Sequence, residues 1–183
     1  MSLQIRQAVH ILNQGGLIAY PTEAVYGLGC LAHFTDTIQQ LLKLKKRSPK
    51  KGLILLASDL SQLNDYIKPL DNSTLAMIQA TWPGAVTWLV PARTLISELI
   101  RGQSQSVAVR ISAHPIVREL CQQCNTPLIS TSANISGHHM TYSAFQVRLQ
   151  FKNRLDYILN APLGDDDKPS IIRDAISNKI IRN

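Results

Sequence analysis

Segments of helical apolar spacing alternate with short apolar runs of strand length along the whole chain, and this constrains the fold most. Ser2 can cap a helix in which Ile5, Ala8, Val9 and Leu12 share one face before Gly15-Gly16 ends it. Leu17 to Tyr20 reads as a strand broken by Pro21, and residues 21–29 read as a small-residue turn region. A helix is expected over 36–46 from Ile38, Leu41 and Leu42, then a basic loop and a strand over 53–57. Asp59 opens a short helix toward Tyr66, and Asn72 caps another that Pro83-Gly84 stops. Residues 85–90 and 106–111 read as strands, the second with Val107, Val109 and Ile111 in strict alternation. Pro115 suits the first turn of a helix running to Cys124, Pro127 to Ser130 is a short strand, and Ser143 starts a helix toward Phe151. Strands near 155–159, 170–173 and 179–182 complete the chain, while 91–105 and 164–169 read as mobile loops. Such alternation predicts an α/β fold with helices around one twisted sheet. The length of 183 residues suits one domain over 1–183.

Residues 43–51 hold six cations and no acid, clamped between the helix at 36–46 and the strand at 53–57. The net charge of +7 points the same way, toward an anionic partner or substrate. Aromatic residues make up 5%, too few for recognition by rows of stacking rings. Cys30, Cys121 and Cys124 form no disulfide framework, and residues 1–20 lack the pattern of a signal peptide. No apolar run approaches the roughly 18 residues of a membrane span. A reducing, cytoplasmic setting is therefore expected.

Two further regions can meet the basic loop. Ser130-Thr131-Ser132-Ala133-Asn134 places hydroxyl and amide groups at a strand end, where ligands gather in open α/β sheets. These residues suit phosphate, ribose or an amino-acid carboxylate, or simply form a polar turn. Arg110 lies opposite the apolar face of its strand, either toward solvent or on a concave surface. A P-loop, a Rossmann fingerprint and a G-x-S-x-G elbow are all absent. Cys121-x-x-Cys124 falls late in a helix, which favours buried thiols over redox or zinc chemistry. His138-His139 have no acid or Cys within a few residues, and Asp165 to Asp167 could hold a cation but read better as an exposed acidic turn, so no protein-bound metal is expected.

Taken together, these motifs resemble the YrdC-type threonylcarbamoyl-AMP synthase family in its short bacterial form. The likeness rests on Gly15 to Glu23 with Tyr26 to Gly29, Lys45-Lys46-Arg47, Ser106 to Arg110 with His114-Pro115, Ser130 to Gly137, and Pro169-Ser170 to Asp174. The family pairs a K-x-R motif with S-x-N, here Lys45, Arg47, Ser132 and Asn134. The resemblance implies a single mixed sheet flanked by helices, with a large positive concave face. It also implies that ATP, bicarbonate and L-threonine give threonylcarbamoyl-AMP and pyrophosphate, for threonylcarbamoyladenosine in tRNA next to the anticodon. Lys45, Arg47, Ser132 and Asn134 are the implied catalytic set. Arg47, Lys51, Ser106, Ser132 and Arg182 are the implied ATP contacts, with Mg²⁺ on the triphosphate. Arg110, Ser130 and Ser170 are the implied threonine contacts, and Thr22 is a further candidate. Ala24 and Leu56 stand where longer members carry threonine and histidine. A monomer that passes its product to a threonylcarbamoyl transferase complex is expected, with weak tRNA contact. The rival reading is a non-catalytic RNA-binding protein, as in ribosome assembly, that uses the basic surface.

Overall fold

The computed structural model describes residues 2–182. Helix α1 (Leu3–Asn13) starts where the Ser2 hydroxyl accepts a hydrogen bond from Ile5 N at 3.3 Å. It buries Ile5, Ala8 and Leu12. Strand β1 (Ile18–Pro21) turns back into β2 (Tyr26–Leu31), with Thr22 N and Oγ1 both donating to Val25 O. Residues 26–29 are therefore strand, not turn. Gly27 and Gly29 hide the strand signal because they contribute no side chain to an alternation. Their smallness is required by packing, since a Cβ on Gly29 would lie 2.1 Å from Ile129 O.

Helix α2 (Thr35–Lys45) ends at Lys46, whose φ of 52° is left-handed. A one-turn 3₁₀ helix (Pro49–Lys51) leads to β3 (Ile54–Ala57), and another (Leu60–Leu63) is capped by Asp59. Helix α3 (Asn72–Gln79) is capped by Asp71, whose carboxylate accepts from Thr74 N at 2.9 Å; Asn72 is already helical. After β4 (Val86–Pro91), the segment read as a mobile loop carries the short helix α4 (Glu98–Arg101). Ile100 is buried there, and its carbonyl accepts from Leu53 N at 2.8 Å. The chain continues through β5 (Ser106–Ile111), α5 (Pro115–Cys124), β6 (Leu128–Ser132) and α6 (Ala144–Phe151). It closes with β7 (Tyr157–Ile158), β8 (Ile171–Asp174) and β9 (Ile180–Arg182).

The nine strands of the described residues join one sheet in the order β7-β1-β2-β6-β3-β5-β4-β8-β9. Pairs β1/β7, β3/β5 and β4/β8 are parallel and the rest antiparallel, so the sheet is mixed, as expected. Helices pack on both faces. Ile5, Ala8 and Leu12 of α1 join Val117, Leu120 and Cys121 of α5 over Ile18, Tyr20, Leu56 and Leu128. The larger cluster buries Ile38 and Leu41 of α2, Ile78 of α3, Ile100 of α4 and Val147 and Phe151 of α6. Each fully buried Leu, Ile or Phe contributes about 1.5–3 kcal/mol. These two layers fix the sheet as a rigid floor.

Candidate active site

Beyond the cover of α1 and α5, the sheet face bearing Ile54, Leu56, Ala108, Arg110, Ser130 and Ser132 opens into a cavity of about 290 Å³. Register makes this floor. Ile54 lies between Ala108 and Ser130, Leu56 faces Arg110, and Gly27 faces Ser132. The period of two in each strand then turns alternate side chains inward. Arg110 is one of them, which resolves its orientation: it lines the cavity and is buried, because its strand is central and not an edge.

One end of the cavity is cationic. Arg47 donates from Nε and Nη2 to Gly52 O at 3.1 and 2.8 Å, which locks the guanidinium plane. Gly52 accepts this role in a left-handed backbone conformation, φ 62°. Arg182 reaches in from β9 and donates to Ser170 O at 3.1 Å. Burial, and then the neighbouring charge of Arg182, pull the pKa of Arg47 down. Burial does the same to Arg182. Lys51 and Lys168 line the same cavity. Like charges held together in this way are relieved by an anion.

The other end is built differently. Leu56, opposite Arg110, is four residues beyond Gly52, or about 13 Å along an extended chain. Glu23 is the sole acid lining the cavity among the described residues. Its Oε1 accepts from Ser112 Oγ at 2.7 Å and Ala113 N at 3.0 Å. Arg110 Nη2 stands 2.6 Å from that same oxygen as an ion pair, but off the line a hydrogen bond requires. Arg110 Nε is held separately by Gly84 O at 2.7 Å. Burial opposes ionisation of Glu23, yet Arg110, Ser112 and the backbone donors together hold its pKa below the ordinary value. Burial also lowers the pKa of nearby His114, against the pull of Glu23. Ser130, Ser170 and Thr22 also line the cavity, with Ser170 next to Arg182; Ser170 Oγ shares a buried hydrogen bond with Thr87 Oγ1 at 2.8 Å.

Lys45 and Asn134 do not line the cavity; they stand behind it. Lys45 Nζ donates to Ser132 O, to Asn134 O at 2.6 Å and to Asn134 Oδ1 at 3.2 Å, and Lys45 O accepts from Ser136 N at 2.9 Å. Three acceptors around one nitrogen demand three N–H donors, so this is the geometry of an ammonium. Burial and then Arg47 draw its pKa down to about 7. Asn134 Oδ1 also accepts from Ser132 Oγ at 2.7 Å, so the K-x-R lysine and the S-x-N asparagine hold Ser132, which does line the cavity. Ser106 is also outside the lining; it begins β5 opposite Pro91.

The cavity thus gathers Thr22, Arg47, Lys51, Arg110, Ser130, Ser132, Ser170 and Arg182 from segments far apart in sequence. Ala24 and Leu56 line it too. Sequence reasoning assigned no role to Glu23, Lys168 or Gly27, although Glu23, an acid amid small residues, was the visible signal. Cys30, Cys121 and Cys124 are free, and burial raises all three thiol pKa values, to about 12, 12 and 11. Among the described residues no group of three or more His, Cys, Asp or Glu could hold a metal, and no helix is long and apolar enough to cross a membrane.

Comparison with known proteins agrees with this fold. The family model Sua5/yciO/yrdC, described as telomere recombination, matches residues 10–183. A threonylcarbamoyl-AMP synthase of Coxiella burnetii is 48% identical over 97% of this chain and 96% of its own. One from Nitrosococcus oceani is 44% identical, covering 98% and 97%. Among solved structures, P. abyssi Sua5 complexed with L-threonine superposes with a TM-score of 0.87 at 30% identity over 93% of this chain. This chain spans 50% of that one. The chain belongs to the Sua5/YciO/YrdC family.

Proposed function

We propose that this protein is a threonylcarbamoyl-AMP synthase, which joins L-threonine, bicarbonate or CO₂, and ATP into threonylcarbamoyl-AMP with release of pyrophosphate. The observation that carries the reading is the division of one cavity into an acid-free cationic end and a Glu23–Arg110 end. Near-full-length relatives named threonylcarbamoyl-AMP synthase support it.

The chemistry needs alignment more than a strong base. A carbamate formed from the threonine amine is already an anion; its oxygen attacks the α-phosphorus of ATP as the bond to pyrophosphate breaks. Arg47, Lys51 and Arg182 are assigned to the triphosphate, where they hold it in line and offset its charge. One such cation about 4 Å from a phosphate oxygen is worth about 4 kcal/mol at an effective dielectric near 20, before desolvation is subtracted. Arg47 is suited to clamp two phosphate oxygens because Gly52 O already fixes its plane. Arg110, Ser130, Ser170 and Thr22 are assigned to the amino acid. Ser132 faces the reactants between the two groups, held by Lys45 and Asn134. Lys45 therefore acts through the S-x-N segment and not as a direct charge on phosphate. Mg²⁺ would accompany ATP, given the lack of a carboxylate cage among the described residues.

The product, an activated mixed anhydride, would pass to a threonylcarbamoyl transferase acting on tRNA in the cytoplasm. Residues 1–183 would form one catalytic domain. The test is pyrophosphate release from ATP by the purified protein. Release that requires both threonine and bicarbonate is expected; release indifferent to either one overturns the proposal.

A further inference from the structure

A site devoted to a triphosphate has no use for a carboxylate in its wall, because an acid there repels the ligand. Glu23 nevertheless lines the cavity, side by side with Arg110. Both residues are more than nine-tenths buried, with 7% exposure each. The donors to Glu23 converge on Oε1, while Oε2 is buried without a hydrogen-bond partner in the protein. An ionised oxygen in that position is costly unless it meets a donor. Arg110 shows the mirror-image feature: its charge is matched by Glu23, yet Nη2 makes no aligned hydrogen bond.

An adjacent carboxylate and guanidinium form a dipole, and its complement is a ligand that carries an ammonium next to a carboxylate. We propose that Glu23 is a specificity-determining residue that recognises the α-amino group, so that the Glu23–Arg110 pair selects a zwitterionic amino acid over a simple carboxylate. This rests on the synthase reading, since it names how the amino-acid end of the same cavity chooses its ligand. Arg110 takes the carboxylate and Glu23 the nitrogen. After carboxylation of the amine, the remaining N–H still offers Glu23 a donor, so the group can hold the nitrogen while its carbamate oxygens point toward the cationic end. The pair also sets a limit on anions. With its charge already matched, Arg110 attracts a free carboxylate or phosphate less than an unpaired arginine would, which leaves phosphate to Arg47, Lys51 and Arg182.

The test is calorimetric binding of two ligands that share one skeleton, L-threonine and its deamino analogue (R)-3-hydroxybutyrate. The wild-type protein should prefer threonine by at least about tenfold; equal affinities overturn the proposal without any variant. Glu23→Gln keeps an acceptor for Ser112 and Ala113 but removes the charge. It should weaken threonine at least about tenfold and leave 3-hydroxybutyrate unchanged or tighter, and Glu23→Asp should restore the preference. Proportional weakening of both ligands by Glu23→Gln would mean a merely structural ion pair and overturns the inference. Failure of the wild-type protein to bind threonine at all overturns the synthase reading as well.

Discussion

Replacement of Gly52 by alanine tests how the cationic end is built. Gly52 has φ 62° and ψ −179°, a region of backbone space essentially reserved for glycine. Forcing an L-residue there costs about 1–3 kcal/mol. A Cβ would also lie 2.9 Å from Ile100 O and 3.0 Å from the carbonyl atoms of Arg101, both backbone groups that cannot swing aside. Overpacking of this kind adds about 1–3 kcal/mol. A central expectation is therefore about 3 kcal/mol, which for a chain of this size lowers the melting temperature by roughly 6–12 °C. The same carbonyl holds Arg47 by two hydrogen bonds, so a shifted residue 52 should release the guanidinium. Thermal unfolding and the KM for ATP are measured together, well below the melting temperature. Gly52→Ala should melt early and show a raised KM for ATP with the KM for threonine nearly unchanged. A melting temperature within about 2 °C of the wild type, or a destabilised protein with normal ATP kinetics, would refute the link drawn between this backbone and Arg47.

Three further outcomes follow from the same geometry. Arg47→Ala should cut turnover by at least about a hundredfold with circular dichroism and melting behaviour near wild type; an active variant removes Arg47 from its assigned role. Lys45→Met should lower turnover at least about tenfold although residue 45 does not line the cavity, because Asn134 O loses its donor; wild-type turnover would contradict the positioning role. Glu23 has a depressed folded pKa, so its contribution to stability is complete above the ordinary carboxylate value of 4.5 and is lost as pH falls through the folded value. The melting temperature should therefore fall below about pH 4.5 more steeply in the wild type than in Glu23→Gln, and equal slopes would contradict the ion-pair account.

Much of the fold was legible because helical and strand periods are strong signals where one face is buried. The helices at 3–13, 115–124 and 144–151 begin at or next to the residues whose capping or proline chemistry announced them. Legibility failed where the signal was carried by something other than periodicity. Residues 26–29 form a strand through glycines that make room for Tyr20 and for Ile129 O, and a glycine has no side to alternate. Helix α4 is only four residues long and is held by its partner segment, through Leu53 N and Ile100 O, more than by its own sequence. In the candidate site, residue types showed which charges were available but not their depth. Lys45 was expected to present its charge to phosphate from the end of the helix at 36–46, yet it is 2% exposed, since its ammonium turns inward and is saturated by the S-x-N segment. Glu23 was in view but without a role until the fold brought Arg110 and Ser112 to it across 87 and 89 residues of chain.

In the proposed reaction one cavity assembles a threonine, a one-carbon unit and the adenylate of ATP. Incubation with ¹⁴C-bicarbonate, threonine and ATP, with products resolved by chromatography, tests it most directly. One labelled species that also contains AMP and threonine is expected, formed in step with pyrophosphate and absent when threonine is omitted. Pyrophosphate formed without label in any AMP-containing product would contradict it.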